Sequence, residues 1–175
     1  MNTPEARLAW AREKFAQAGA RLTSVREQVI TLLAMETLPL TWESVAHAED
    51  ITGRYDATTV YRTLMFLLDL EIVRQLHFQD RASYFVLNAP DARSNYLVCR
   101  CCGVMTALPP LEETHLLERQ VSATHGYTAL QHDVIMSGFC PVCQKTPHTC
   151  APPSKLRPRS PKQFRPGPRF QDPHP

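Results

Sequence analysis

The chain lacks any long apolar run. Its longest, LMFLL at 64–68, falls far short of the roughly 18 residues that a membrane-spanning helix requires. The opening MNTPEARLAW lacks the apolar stretch of a secretory leader. A soluble, cytoplasmic protein with no membrane partner is therefore expected. Internal repeats are missing. So are the short motifs of common catalytic sites: there is no phosphate loop, no G-x-S-x-G, and no H-x-E beside the paired cysteines as in zinc deaminases. An enzyme is not expected.

What is present is an ordinary globular mix, 43% hydrophobic and 21% charged over 175 residues, enough for one ordinary domain or two small ones. The charge is uneven. The chain carries +2 overall, yet from Thr146 onward six basic residues (Lys155, Arg157, Arg159, Lys162, Arg165, Arg169) face one acid, Asp172, which leaves the first 145 residues net acidic. Nine of the fifteen prolines lie in that same tail. A basic, Pro-rich segment buries too little apolar surface to fold. Both a solvated tail and a sequence-blind grip on phosphates fit it.

Residues 4–18 favour a helix, with Leu8 and Phe15 as apolar contacts and Gly19 as its stop. In RLTSVREQVITLLAM, Ser24 and Glu27 have capping-box spacing. Val25, Val29, Ile30, Leu32, Leu33 and Met35 follow at helical period. Thr41 caps a further helix, in which Trp42 and Val45 face inward and which Gly53 ends. Asp56 caps another, with a buried stripe of Val60, Leu64, Leu67 and Leu68. Strand chemistry then takes over: β-rich runs at 72–78 and 83–87 flank a polar turn at 79–82 and predict a hairpin.

Helices followed by a hairpin make a winged helix, whose last helix can enter the major groove of DNA. The outer face of that helix holds Thr58, Thr59, Tyr61 and Arg62, groups that can bond phosphates or base edges. An ordinary solvated face, or a winged helix used only to bind protein, is compatible with the same pattern. Beyond the polar linker LNAPDARSN a second unit is expected, with strands at 96–99 and 104–108, a helix at 111–122, and a strand in 127–138. Leu111, Leu116, Leu117 and Val121 share one side of that helix.

Cysteines mark both ends of this second unit. Cys99-x-x-Cys102 and Cys140-x-x-Cys143 each bring two thiols to one side of a turn, half of a tetrahedral zinc site with Zn–S of about 2.3 Å. In a reducing compartment paired thiols favour metal over disulfides; a redox dithiol and buried free thiols are the alternatives. The 37 residues between the pairs require a strand, helix and strand to be threaded between them. Cys101 competes with Cys102 for the site. Gly103 favours Cys102, because glycine lets the knuckle turn tightly, and leaves Cys101 as a spare thiol. Cys150 lies in the tail.

Over roughly residues 10–144 the chain resembles the ferric uptake regulator superfamily of bacterial metalloregulators. RLTSVREQVITLL, ATTVYRTLMFLLDLEIV, LVCRCCGVM and HGYTALQHDVIMSGFCPVC fall in that family's order and spacing. The resemblance implies a dimeric winged-helix transcription regulator that binds a palindromic operator when a regulatory metal is loaded. It implies that Tyr61 and Arg62 read bases, that Arg21 touches the DNA backbone, and that Cys99, Cys102, Cys140 and Cys143 hold structural zinc.

There is a departure at the hinge, where the family's regulatory site takes a histidine ahead of the second helix of the DNA-binding domain, a ligand in the wing, and a His-x-His cluster before the first CxxC. This chain has LPLTW at 38–42, Gln79 in the wing and DARSNY at 91–96. Asp91, Ser94, Asn95 and Gln79 hold iron or zinc poorly beside imidazole, so weak or absent metal sensing is expected there. His132 falls where the family often has a second-site histidine, and His115 lies on the helix facing its strand. These two are the candidates for a regulatory metal, with Glu112, Glu113 or Asp133 completing the set, although a lone histidine is more often structural.

The expected fold is α+β: a winged-helix DNA-binding domain at 1–88, a hinge at 89–95, a small α/β dimerisation domain with a four-cysteine zinc site at 96–145, and a disordered basic Pro-rich tail at 146–175. The expected function is a sequence-specific transcription regulator, a repressor of metal-homeostasis or stress genes. It would act as a homodimer on double-stranded DNA with structural Zn2+. The rival readings are a winged-helix and zinc interaction module without DNA binding, and a four-cysteine iron redox protein.

Overall fold

The computed structural model describes residues 3–78, 82–90, 94–109, 111–128, 130 and 132–145. Gln79, Asp91, Arg93, Cys150 and the tail at 146–175 lie outside the described residues.

Helix α1 (Pro4–Gln17) begins where Thr3 accepts the Ala6 N–H at 3.3 Å, with Pro4 in the first turn, and it buries Ala11 and Phe15. Helix α2 (Ser24–Met35) buries Val29, Ile30, Leu33 and Ala34. Its capping box does not form. The cap residue is Thr23, without a side-chain cap bond, which puts Glu27 one residue too far along to close the box. Glu27 instead pairs with Arg12 of α1, and the Ser24 hydroxyl accepts from the Tyr55 hydroxyl at 3.0 Å. Met35, expected on the apolar face, is 62% exposed.

Strand β1 (Leu40–Thr41) runs straight into helix α3 (Trp42–Ala46), which Thr41 caps by accepting the Ser44 N–H at 3.2 Å. The helix stops well before Gly53. The Ala48 and Ile51 N–H groups reach back only three residues, and such tighter turns break the α-helical ladder. Ala48 and Ile51 are buried all the same. Helix α4 (Ala57–Asp69) is capped as expected: Asp56 accepts the Thr59 hydroxyl at 2.6 Å and the Thr59 N–H at 2.9 Å. Those two bonds hold its carboxyl below the usual range. Val60, Thr63, Leu64 and Leu67 are buried beneath it.

Strands β2 (Val73–His77) and β3 (Ser83–Leu87) pair antiparallel, from Val73 opposite Leu87 to His77 opposite Ser83. Strand β1 adds to the far edge of β3, so the order is β1-β3-β2. The four helices and this sheet form a winged helix around one core, with Phe15, Ile30, Ile51, Leu64, Leu67, Ile72 and Phe85 among its members.

The second unit comprises β4 (Ser94–Cys99), β5 (Met105–Ala107), α5 (Glu112–His125), β6 (Asp133–Gly138) and α6 (Pro141–Lys145). Strand β4 is central, antiparallel to β5 and parallel to β6. A parallel pair needs a crossover, and α5 supplies it. Gly126 ends α5 at φ +72°, a left-handed position that favours glycine. The predicted apolar stripe exists but opens outward. No α5 side chain is buried, and Leu116 and Leu117 are 57% and 59% exposed. Leu97, Ile135 and Met136 on the sheet are exposed too.

A small apolar cluster joins the two sheets: Leu76 and Tyr84 from the hairpin meet Tyr96 from β4, with Leu38, Phe78, Val86 and Met105 around them. The Phe78 ring stands edge-on to Tyr84 at 4.8 Å and to Tyr96 at 6.0 Å. Arg74 of β2 pairs with Asp133 of β6 at 2.9 Å. Among the described residues no helix is long and apolar enough to cross a membrane.

Candidate functional site

Cys99 ends β4 and Cys140 follows β6. These strands run parallel with Cys99 opposite Gly138, so both knuckles arrive at one end of the sheet. The Sγ atoms of Cys99, Cys102, Cys140 and Cys143 all lie within 4.8 Å of one another. Those of Cys102 and Cys140 are 3.8 Å apart. Four sulfurs each about 2.3 Å from a shared zinc stand about 3.8 Å apart at the corners of a tetrahedron, a spacing that the Cys102–Cys140 pair has and that the whole group approaches, so these residues fit zinc.

Backbone donors already point at these sulfurs. The Cys140 N–H lies 3.3 Å from Cys99 Sγ, and the Cys143 N–H lies 3.5 Å from Cys140 Sγ. Burial raises the Cys99 thiol, but the N–H groups of Cys102, Cys140 and Cys101 outweigh it and bring Cys99 down to about 6. Cys143, beside Cys140 and buried, is pushed up to about 12, and burial raises Cys102. Cys99 thus gives up its proton readily while Cys102 and Cys143 hold theirs, and a divalent, thiophilic cation favours the thiolate form of such a group. Gly103 sits at φ +71° in the first knuckle, in keeping with Cys102 as the ligand.

On α4, Thr58, Tyr61 and Arg62 are exposed. Thr59 is half-buried and its hydroxyl serves the Asp56 cap. Arg21 is exposed between α1 and α2, where its carbonyl accepts from Arg26 at 2.6 Å. Arg26 lies over the Phe66 ring at 3.6 Å. Together with Thr23, Thr59 and Arg62 it lines a shallow notch between α2 and α4. The helix pair therefore offers cationic heads and an aromatic ring on one surface.

The two candidate histidines converge on one carboxylate. His132 Nδ1 lies 2.7 Å from Glu118 Oε1, and His115 Nδ1 lies 3.6 Å from Glu118 Oε2. Glu112 and Glu113 sit exposed in the first turn of α5, and Asp133 is engaged by Arg74. Among the described residues, the four cysteines are the one group of three or more metal-binding side chains close enough to share an ion.

A family model described as the ferric uptake regulator family matches residues 17–137. The chain belongs to the ferric uptake regulator family. It is 24% identical over 135 residues to the ferric uptake regulation protein of Synechococcus elongatus, covering 74% of this chain and 90% of that one. It is 30% identical over 131 residues to the zinc uptake regulation protein of Mycobacterium tuberculosis, covering 73% and 97%. The solved ferric uptake regulator of Helicobacter pylori superposes with a TM-score of 0.62 at 22% identity, over 82% of this chain and 95% of that one. The fold is thus that of the family, whose members are transcription regulators and not enzymes.

In this family member, rings and an amide occupy the joint between the sheets. Leu38 packs against the cluster of Leu76, Tyr84 and Tyr96. Buried Asn95 donates its side-chain amide to the Pro109 carbonyl at 3.1 Å. Sequence reasoning did not reach three neighbours of the site. Glu118 was discoverable from its i,i+3 spacing to His115. Arg26 and Trp42 were not, because their partners Phe66 and Tyr61 come from other helices.

Proposed function

We propose that this family member is a sequence-specific, DNA-binding repressor that acts as a homodimer in the cytoplasm, its structural zinc held by Cys99, Cys102, Cys140 and Cys143. The observation that carries this reading is the outward face of α4. A rigid cap and a filled core fix the helix, and that face leaves Thr58, Tyr61 and Arg62 free to meet a groove. Arg62 would pair with a base edge and Tyr61 would contact its neighbour, while Arg21 would hold a phosphate. The winged-helix unit spans 1–88 and the dimerisation unit 96–145, joined at 89–95. The outward leucines of α5, and the exposed Leu97 and Met136 that share one face of the sheet, supply apolar surface on which a second copy packs.

Because the joint is closed by Phe78, Tyr84 and Tyr96 rather than by imidazoles, metal sensing there is weak or absent. If a regulatory metal binds, His115 and His132 hold it with Glu118 between them. Gel shift of the zinc-loaded protein on its own promoter region tests the reading. Arg62→Ala should weaken binding by about 1–3 kcal/mol and relax preference at one base pair. Wild-type-like binding by both Arg62→Ala and Tyr61→Ala would remove α4 as the reading helix. Elemental analysis of purified protein should find one zinc per chain, and iron in its place would favour the redox alternative.

A further inference from the structure

Tyr61 does not stand alone on the surface of α4. Trp42, the first residue of α3, meets its ring edge-on, with centroids 6.2 Å apart and planes at 83°. This is the arrangement that aromatic quadrupoles favour. The backbone leading into Trp42 is anchored twice. Thr41 before it pairs with Tyr84 in the sheet and also caps α3 through the Ser44 N–H. Trp42 is half-buried against the main core, whereas Tyr61 is 45% exposed. A half-buried ring therefore braces an exposed one.

The two rings wall a groove of about 370 Å³ between α4 and the hairpin, which Met65, Glu43, Gln75 and Ser83 also line. On its hairpin side, Gln75 donates to the Ser83 hydroxyl at 2.6 Å, so these polar groups satisfy each other. The Glu43 carboxylate disfavours a phosphate there. Aromatic walls, paired polar groups and an acid suit the edge of a base and not the DNA backbone.

We infer that Trp42 is a specificity-determining positioning residue: it holds the Tyr61 ring at one angle, so base preference at the operator position that Tyr61 meets depends on Trp42. This rests on α4 being the reading helix. Without the indole edge, the Tyr61 side chain samples several rotamers and loses its discrimination between bases, while the cationic contacts to phosphate are unchanged.

The test uses the full-length, zinc-loaded protein. A motif is first selected from a pool of randomised duplexes, and affinities are then measured for the motif and its single-position variants at fixed salt. Trp42→Leu should reduce discrimination at one position by roughly three- to tenfold. Discrimination elsewhere and affinity for motif-free DNA should stay as in wild type. Trp42→Phe, which keeps an aromatic edge, should recover most of the loss. Adding Tyr61→Ala to Trp42→Leu should cost little more at that position, whereas adding Arg62→Ala should cost its full amount.

A uniform loss at all positions, or unchanged discrimination in Trp42→Leu, would overturn the inference. Should Trp42→Leu fail to fold, Trp10→Phe leaves Trp42 as the chain's single tryptophan. Its emission should then shift with the motif duplex and not with motif-free DNA, and identical responses to both would overturn the inference. Failure of the wild type to select any motif would instead sink the DNA-binding reading, and this inference with it.

Discussion

The two halves of the molecule spend their leucines differently. In the winged helix, Leu33, Leu64 and Leu67 are buried at the centre of one cluster, with Ile30, Ile51 and Ile72 fully enclosed beside them. In the second unit, Leu116 and Leu117 lie more than half exposed, and α5 buries nothing. The first half is held by its own core. The second has three strands, a crossover helix between two of them and four clustered thiols, with apolar side chains open to the outside. Small units with too little core need a metal, a partner or both. Stability in this chain therefore has two origins, and they should respond to different perturbations.

The largest effect should come from the thiols. Cys140→Ser should lose the zinc and unfold the second unit, because binding energy there is folding energy, on the order of 10 kcal/mol in small zinc units. Calorimetry should show the second unit's transition gone while that of the winged helix persists. A Cys140→Ser protein that keeps one zinc per chain and its full melting profile would remove the metal from the account.

The converse perturbation is Leu64→Ala, which should cost about 2–5 kcal/mol through a cavity in the main core. It should lower the melting of the winged helix and leave the zinc content intact. If it lowered both transitions equally, the two halves would be one cooperative unit and the contrast would fail. The cluster of Leu76, Tyr84 and Tyr96 and the Arg74–Asp133 pair are the contacts that would couple them.

Leu117→Glu should act on neither core. A charge placed on the outward stripe should shift the chain toward monomer in sedimentation, by about 2 kcal/mol if Leu117 anchors the interface. Operator affinity should fall with the loss of the paired half-site. An unchanged sedimentation profile would mean that the open face of α5 is not where copies meet. The smallest effect should be Arg12→Ala. Its pair with Glu27 joins α1 to α2 but is largely exposed, so the loss should stay below about 1 kcal/mol and vanish in high salt.

Much of this architecture was legible in the sequence, and for local reasons. Asp56 and Thr41 cap helices because a short side-chain oxygen reaches a nearby N–H whatever the rest of the chain does. The stripe of Val60, Leu64 and Leu67 and the hairpin at 73–87 follow from periodicity alone. The paired CxxC spacing implied a four-sulfur group before any strand was placed, because each pair is already half a site.

Tertiary structure decided what depends on distant neighbours. Glu27 lost the box that its spacing suggested because the helix is capped one residue earlier, at Thr23, and it pairs instead with Arg12 on another helix. The stripe on α5 was read correctly as apolar, yet periodicity carries no information about whether a covering layer exists, and among the described residues none encloses Leu116 or Leu117. The carboxylate between His115 and His132 proved to be Glu118, since folding alone brings β6 alongside α5. The ring that braces Tyr61 comes from Trp42, nineteen residues earlier in the chain. Caps and periods are written within a few residues, whereas contacts between elements exist only once packing has set their distances and angles.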